Sequence, residues 1–213
     1  MVSTTPIRAV SVPFWRIDPS GWMVTGELSA RRMGKPLVST SGVPLTADFQ
    51  LDEAAMLEAI ERTRPALTYL AYPNNPTANL WDDAVIQRIV DAVGAQDGFV
   101  VMDEAYQPFA SRTWMPRLAG QPHVLVLRTL SKFGLAGVRL GYLCGAAPLI
   151  AEIDKVRPPY NVSSLNAEAA LFALENAYEF GQQAAVLRAQ RERLQQELAA
   201  LPGVTPFPSE ANM

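Results

Sequence analysis

The sequence predicts an α/β protein built on a layered sheet. Short apolar runs typical of buried strands alternate along the chain with stretches whose apolar residues recur at helical spacing. Hydrophobic residues make up 49% of the 213 residues, which is enough for a substantial core. Alternating strands and helices favour a sheet covered by helices.

The predicted elements become regular from residue 43 onward. Asp52 can cap a first helix, LDEAAMLEAIERTR, and a second amphipathic helix lies in DDAVIQRIVDAV. Between them, 66–72 is a predicted buried strand. A second predicted strand ends at Asp103, a third covers 124–128, and a fourth lies in VRLGYLCG. A helix in PLIAEIDKV and one helical tract over about 165–200 follow.

Composition restricts the function classes. The net charge is −3 with a pI near 5.3, and no basic run indicates binding to nucleic acid or to a membrane surface. The apolar runs are too short for a transmembrane helix, and the N-terminus has no apolar stretch typical of a signal peptide. A reducing cytoplasm is therefore the expected location.

Metal and disulfide chemistry is not expected. Cys144 is the single cysteine and lies in an apolar run, so we expect a small buried side chain and neither a disulfide nor a zinc framework. His123 is the single histidine. It precedes a predicted strand by one residue, so we expect it in a turn or at the surface and not in a catalytic triad.

Polar side chains follow three successive predicted strands. Asn75 lies in PNNPTA after the first, Asp103 ends the second, and Lys132 lies in TLSK after the third. Ligands of such sheets bind at the carboxyl ends of the strands. We therefore expect these side chains to converge on one crevice.

Each of these residues has both a structural and a chemical interpretation. Lys132 is a surface lysine, or a partly desolvated amine that reacts with a carbonyl such as that of pyridoxal phosphate. Asp103 caps a turn or faces a pyridinium nitrogen. Tyr106 is a half-buried aromatic or donates to a phenolate oxygen. Asn75 marks a turn, donates to the same oxygen, or does both.

A phosphate site is the second chemical hypothesis. Thr129 and Ser131 offer hydroxyl groups, and Arg139 offers a guanidinium that can fork onto phosphate. Gly134 and Gly137 permit close backbone approach. The chain has no G-x-G-x-x-G after a strand and no G-x-x-x-x-G-K-[ST], so the usual nucleotide loops are excluded.

Five ordered motifs resemble those of the fold-type I pyridoxal-phosphate aminotransferases: YPNNPTA, VVMDEAY, RTLSKFGLAGVRLGY, RPPYNVSSLNAEAA and PSEANM. PPYNVS and PSEAN, with VPLTADFQLD upstream, are most similar to the histidinol-phosphate aminotransferase branch. The resemblance covers about residues 43–213. It implies a three-layer α/β/α large domain with a mostly parallel sheet, here incomplete, and pyridoxal 5'-phosphate as the cofactor.

The resemblance also implies a role for each motif residue. Lys132 would bond to the cofactor and move the proton between the substrate Cα and the cofactor C4′. Asp103 would pair with the pyridine nitrogen, and Tyr106 and Asn75 would contact the phenolate oxygen. The phosphate would be held by three further residues: Ser131, Arg139 and Thr129.

The implied reaction converts L-histidinol phosphate and 2-oxoglutarate into imidazole-acetol phosphate and L-glutamate, a step of histidine biosynthesis. A homodimer is implied, because these enzymes build each site from two subunits. Two alternatives stay open. One is another fold-type I enzyme acting on an aromatic or phosphorylated amino acid, and the other is a non-catalytic fragment.

The chain also departs from the family pattern. We expect an atypical, non-homologous segment over 1–42, the cofactor-binding core over 43–190, and the end of a connecting helix with the start of a small domain over 191–213. Relative to the family the chain is expected to be truncated at both ends. Ala78 stands where the family usually has glycine, a change expected to be mild.

Overall fold

A computed structural model describes residues 7–13, 25–28 and 38–213, with side chains from residue 41 onward. Its strands form one seven-stranded sheet in the order β1-β7-β6-β5-β4-β2-β3. The strands are β1 (Ile7–Pro13), β2 (Thr25–Leu28), β3 (Val38–Ser41), β4 (Leu67–Ala71), β5 (Phe99–Asp103), β6 (Val124–Thr129) and β7 (Leu140–Ala146).

The centre of the sheet follows the predicted strands. β4, β5 and β6 run parallel, and all three predictions are confirmed to within about one residue. β7 is also confirmed as a strand, but it runs antiparallel to β6. The connection from Thr129 to Leu140 is too short for a parallel crossover, which normally needs a dozen or more residues. The four central strands are thus mostly parallel, as predicted.

The flanks of the sheet are antiparallel. β1 pairs with β7, and β2 lies between β3 and β4. All three flanking strands lie within residues 1–42, where the local sequence pattern indicates no clear element. Pairing with strands that are remote in sequence, rather than local periodicity, defines these edges.

Helices cover both faces of the sheet, so the predicted three layers are confirmed. The helices are α1 (Glu53–Thr63), α2 (Asp83–Gly94), α3 (Ala147–Val156), α4 (Ser164–Glu175) and α5 (Ala177–Ala199). Asp52 caps α1 as predicted, accepting a hydrogen bond from the Ala55 N–H at 3.0 Å.

Two apolar cores lie on opposite faces because side chains alternate along each strand. On one face, α1 and α2 pack against the sheet through buried residues that include Met56, Ile60, Ile89, Leu70, Met102 and Val126. Cys144 joins this core, which confirms the predicted buried thiol. On the other face, Ile150 of α3 packs against Val101, Leu125 and Leu143.

The long helical tract predicted over 165–200 is divided into two helices. Asn176 leaves helical geometry (φ −105°, ψ 25°), and its side-chain amide donates to the Phe172 carbonyl at 2.8 Å. An asparagine that bonds to the preceding turn competes with the helical backbone, which explains the break. No helix in the described ranges is both long and apolar enough to cross a membrane.

Candidate active site

The carboxyl ends of three parallel strands meet at one edge of the sheet. Ala71 of β4 stands beside Asp103 of β5, which in turn stands beside Leu127 of β6. The Tyr72 N–H donates to the Asp103 carbonyl at 2.8 Å and extends this alignment by one residue. The segments that leave these strands therefore begin next to one another and carry the predicted polar residues.

Asn75, Tyr106 and Lys132 lie together at this edge. The Asn75 side-chain amide donates to the Tyr106 hydroxyl at 3.3 Å. The Lys132 Nζ lies 4.8 Å from the centroid of the Tyr106 ring, within the range of a cation–π contact. Tyr106 is only 8% exposed, so packing holds its ring in place beside the lysine. The structure thus brings Tyr106 together with Asn75, 31 positions before it, and with Lys132, 26 positions after it.

Asp103 presents a desolvated carboxyl at the end of β5. Burial raises its pKa to about 6, a hydrogen bond from the Ala105 N–H at 3.0 Å opposes this, and the charge of Glu104 adds to the rise. Tyr69, on β4, lies on the same side: burial raises the pKa of its phenol, and the charge of Asp103 raises it further. Asp103 therefore both caps a turn and holds a carboxyl whose charge the protein compensates only in part.

The residues predicted to hold phosphate are partly brought together. Arg139 Nη1 lies 3.5 Å from Ser131 Oγ, a long hydrogen bond, and donates to the Ala136 carbonyl at 3.3 Å. Thr129 takes a different position. Its buried hydroxyl donates to the Leu140 carbonyl at 3.2 Å and accepts from the Ser131 N–H at 3.0 Å. Thr129 thus shapes the turn that carries Ser131.

The turn Ser131–Leu135 carries Lys132 and needs a glycine. Gly134 has φ +95°, a conformation that other residues rarely adopt, and a Cβ there would lie 3.0 Å from the Phe180 ring of α5. Phe180 also contacts Phe133, with ring centroids 5.2 Å apart. Gly137 has open space around it. Close approach is therefore found at Gly134 and not at Gly137.

Ala78 adopts a backbone conformation that favours glycine. Its φ is +62°, in the left-handed region, and its N–H donates to the Asn74 carbonyl at 2.8 Å to close the turn that carries Asn75. A residue with a Cβ is strained in this conformation by about 1–2 kcal/mol. The turn nevertheless keeps its closing hydrogen bond, and Asn75 contacts Tyr106.

His123 lies away from the candidate site. It precedes β6 at the amino end of that strand, in a turn as predicted, and its Nε2 is 3.1 Å from the Val90 carbonyl of α2.

The sequence matches a known protein family over most of its length. The sequence model of the family "Aminotransferase class I and II" matches residues 37–213. The chain belongs to the class I and II aminotransferases.

Curated relatives are similar over most of the chain. It is 69% identical over 197 residues to a histidinol-phosphate aminotransferase of Methylibium petroleiphilum, covering 92% of this chain and 52% of that protein. Histidinol-phosphate aminotransferase 1 of Ralstonia nicotianae is 49% identical over 214 residues, covering 100% of this chain and 56% of that protein. The chain therefore spans about half the length of these relatives. Both alignments reach into residues 1–42, and the boundary at 42 stays a prediction.

A solved structure shares the fold. The Sinorhizobium meliloti histidinol-phosphate aminotransferase, solved in complex with pyridoxal-5'-phosphate, superposes with a TM-score of 0.68 at 30% identity. The match covers 79% of this chain and 46% of that one. The predicted aminotransferase family and its layered fold are thereby confirmed.

One pair of charged residues beside the site was not predicted from the sequence. Glu104 directly follows Asp103, and its buried carboxylate pairs with Arg128 of β6 at 2.8 Å. The signal was present in the sequence, because VLVLRT places an arginine inside an apolar strand and FVVMDE adds a second carboxylate to the end of another. Charged residues at such positions are rarely buried unless they are paired.

Proposed function

We propose that this chain acts in the transamination of L-histidinol phosphate with 2-oxoglutarate, with pyridoxal 5'-phosphate as the cofactor. The observation that carries the proposal is the position of Lys132, whose amine lies against the Tyr106 ring while Asn75 bonds to the Tyr106 hydroxyl. A lysine amine, a phenol and an amide then meet where a carbonyl-bearing aromatic ring can be bound.

Asp103 supports the choice of cofactor. Its carboxyl is desolvated and its pKa is raised to about 6, so its anion is incompletely stabilised by the protein. A cationic atom of a ligand placed beside it would be stabilised by the carboxylate and would lower its pKa in turn. The protonated nitrogen of a pyridine ring meets this requirement, which fits pyridoxal phosphate.

The bound cofactor supplies a protonated ring that accepts electrons from the substrate Cα. The protein's own residues prepare that chemistry. The Lys132 amine would take the proton from the substrate Cα and deliver it to C4′ of the cofactor. Asp103 would keep the ring nitrogen protonated, and the Tyr106 hydroxyl and the Asn75 amide would donate to the ring oxygen.

The phosphate end of the cofactor would be held across the turn after β6. Ser131 Oγ and the Arg139 guanidinium lie 3.5 Å apart and can both donate to one anion. Thr129 contributes by fixing the Ser131 backbone through the hydrogen bond at 3.0 Å. A phosphate anchored here would place the cofactor ring within reach of Asp103 and Lys132.

The relatives support the substrate assignment. Proteins 65–69% identical to the chain carry the name histidinol-phosphate aminotransferase, which favours L-histidinol phosphate over an aromatic or other phosphorylated amine. In the proposed reaction the amino group passes to 2-oxoglutarate, giving L-glutamate. We further propose a cytoplasmic homodimer as the working form, because the resemblance implies sites shared between two subunits.

The experiment is to add pyridoxal phosphate to the purified chain and record its visible absorbance. A lysine-bound cofactor gives a visible band, and reduction with borohydride should fix the cofactor on Lys132, located by peptide mass spectrometry. Lys132→Ala should remove both signals. Lys155→Ala is the matched control, because Lys155 lies on α3, pairs with Glu152 and is exposed.

Transamination assays then test the substrate. L-histidinol phosphate should be the preferred amino donor with 2-oxoglutarate, ahead of aromatic and other phosphorylated amines. A wild-type chain without the visible band would show that it is a non-catalytic fragment.

A further inference from the structure

A buried ion pair lies directly beside the proposed site and takes no part in the chemistry described above. The Glu104 side chain is fully buried, and its Oε2 accepts from Arg128 Nη2 at 2.8 Å and from Arg128 Nε at 3.0 Å. The Arg128 side chain is 19% exposed. Burying such a pair costs desolvation free energy that often exceeds the gain, so stability alone is a poor reason for its presence.

The carboxylate of Glu104 is held on several sides. The Thr113 hydroxyl lies 2.9 Å from both carboxylate oxygens, and the Trp114 N–H donates to Oε1. Arg128 Nη2 also donates to the Thr113 hydroxyl at 2.9 Å. Such a closed network leaves Glu104 little freedom to move relative to Arg128.

Register explains why the two residues meet. Asp103 stands opposite Leu127, and the Glu104 N–H donates to the Leu127 carbonyl at 2.8 Å, so Glu104 and Arg128 form the next step of the parallel ladder. Adjacent residues of a strand point to opposite faces. The ion pair therefore lies behind the sheet edge while Asp103 lies in front of it.

The pair also joins the two strand ends that matter for the proposed chemistry. Glu104 is bonded in sequence to Asp103. Arg128 precedes Thr129, whose hydroxyl holds the Ser131 N–H, and Lys132 follows directly. A shift of Glu104 against Arg128 would therefore move Asp103 relative to Lys132.

We propose that Glu104 and Arg128 form a positioning pair that fixes Asp103 relative to Lys132 and partly offsets the negative charge of Glu104 beside Asp103. The proposal rests on the proposed function for the roles of Asp103 and Lys132. It adds that the second carboxylate of the DEAY motif acts through its partner on β6 and touches neither substrate nor cofactor.

The charges around Asp103 determine in which direction each substitution should shift its titration midpoint. Its charged and titratable neighbours are Glu104, the next residue along the chain, and Tyr69 on β4, and the Glu104 charge raises the Asp103 pKa after the larger effect of burial. Arg128, paired to Glu104, opposes that charge. Removing Glu104 alone leaves an uncompensated cation, and removing Arg128 alone leaves an uncompensated anion.

The test titrates Asp103 in the chain without pyridoxal phosphate, by NMR of ¹³C-labelled aspartate carboxyls, with its signal assigned by its loss in Asp103→Asn. Glu104→Gln should lower the Asp103 titration midpoint and Arg128→Met should raise it, each by about one pH unit. The double variant Glu104→Gln/Arg128→Met should return it close to wild type. Glu53→Gln/Arg88→Met, which removes an exposed ion pair elsewhere, is the matched control.

A purely structural role predicts a different result. The single variants would then lower the thermal unfolding midpoint but leave the Asp103 titration unchanged, or shift it with the same sign, and either outcome overturns the proposal. Arg128→Lys gives a second test should Glu104→Gln not fold, because it keeps the charge and loses the forked geometry. It should restore the Asp103 midpoint to near wild type, and a midpoint equal to that of Arg128→Met overturns the proposal.

Pyridoxal phosphate affinity tests the positioning part in the same variants. Glu104→Gln and Arg128→Met should both bind the cofactor more weakly, while Glu53→Gln/Arg88→Met should bind it as wild type does. Unchanged affinity in both site variants overturns that part. Because the carboxyl titration uses no cofactor, a failure of the proposed function leaves it interpretable.

Discussion

The Asn75 amide donates a hydrogen bond to the Tyr106 hydroxyl at 3.3 Å and so joins the segment after β4 to the turn after β5. Each residue alone has an ordinary structural interpretation, as a turn former or as a half-buried aromatic. Their contact holds the Asn75 amide and the Tyr106 hydroxyl side by side. The Lys132 amine lies 4.8 Å from the centroid of the Tyr106 ring. A ligand oxygen placed between them would be bound by groups that are already oriented.

The first prediction concerns this contact. Tyr106→Phe keeps the buried ring but removes the hydroxyl, so the free energy of unfolding should fall by about 0.5–1.5 kcal/mol. In a double-mutant cycle with Asn75→Ala, measured by urea unfolding, the two changes should be non-additive by a similar amount. Tyr178→Phe is the control, because Tyr178 is 73% exposed and should show no measurable change. Strictly additive effects would contradict the contact.

The second prediction concerns pH and Asp103. A carboxyl whose pKa rises from 3.8 to about 6 on folding binds more protons in the folded chain between those pH values. The contribution of Asp103 to the free energy of unfolding should therefore be largest at acidic pH and fall as the pH rises through this window, by on the order of 3 kcal/mol in total. Asp103→Asn should lack this fall.

Urea unfolding of both chains without cofactor, from pH 4 to pH 7, checks the second prediction. The asparagine variant should become the more stable one above pH 6, because a functional carboxylate is then replaced by a neutral group of similar size. Parallel pH profiles for the two chains would show that Asp103 is not desolvated.

Local patterns predicted the parts of the fold that local physics determines. Asp52 caps α1 and Asp103 ends β5 because a capping carboxylate and a buried apolar run are properties of a few neighbouring residues. The antiparallel pairing of β7 with β6 joins residues 12 to 18 positions apart, and the pairing of Glu104 with Arg128 joins residues 24 positions apart. Such pairings are visible only once the sheet is assembled.

The candidate site shows the same division. Strand-end placement was enough to bring Asn75, Asp103 and Lys132 to one edge. The role of Thr129 was less accessible, because its hydroxyl turns inward to Leu140 and Ser131 and this depends on the path of the turn.

The third prediction concerns the turn that carries Lys132. Gly134→Ala places a Cβ in a left-handed conformation and 3.0 Å from Phe180, so it should destabilise the chain by about 1–2 kcal/mol and weaken pyridoxal phosphate binding. Gly137→Ala, three residues further along the chain and with open space around it, should have little effect. Urea unfolding and the visible cofactor band measure the two effects. Equal losses of stability and cofactor binding in both variants would show that neither the positive φ of Gly134 nor its contact with Phe180 is the cause.

The fourth prediction concerns the apolar surface of α4. Leu165 is 81% exposed and Phe172 is 60% exposed, whereas Ala173 on the same helix is fully buried. Exposed apolar side chains of this size favour association with other apolar surfaces. The double variant Leu165→Gln/Phe172→Gln should therefore reduce concentration-dependent light scattering of the chain, while its free energy of unfolding changes by no more than about 0.5 kcal/mol per site.

Ala173→Gln is the matched control for α4, because it adds the same side chain at a buried position and should destabilise the chain by about 1–3 kcal/mol. Static light scattering over a concentration series and urea unfolding separate the two effects. Scattering that stays at the wild-type level in Leu165→Gln/Phe172→Gln would show that association uses another surface, such as the exposed apolar residues of α5. Leu165 and Phe172 would then be ordinary exposed apolar residues with no part in association, since single exposed apolar residues are normal on folded proteins.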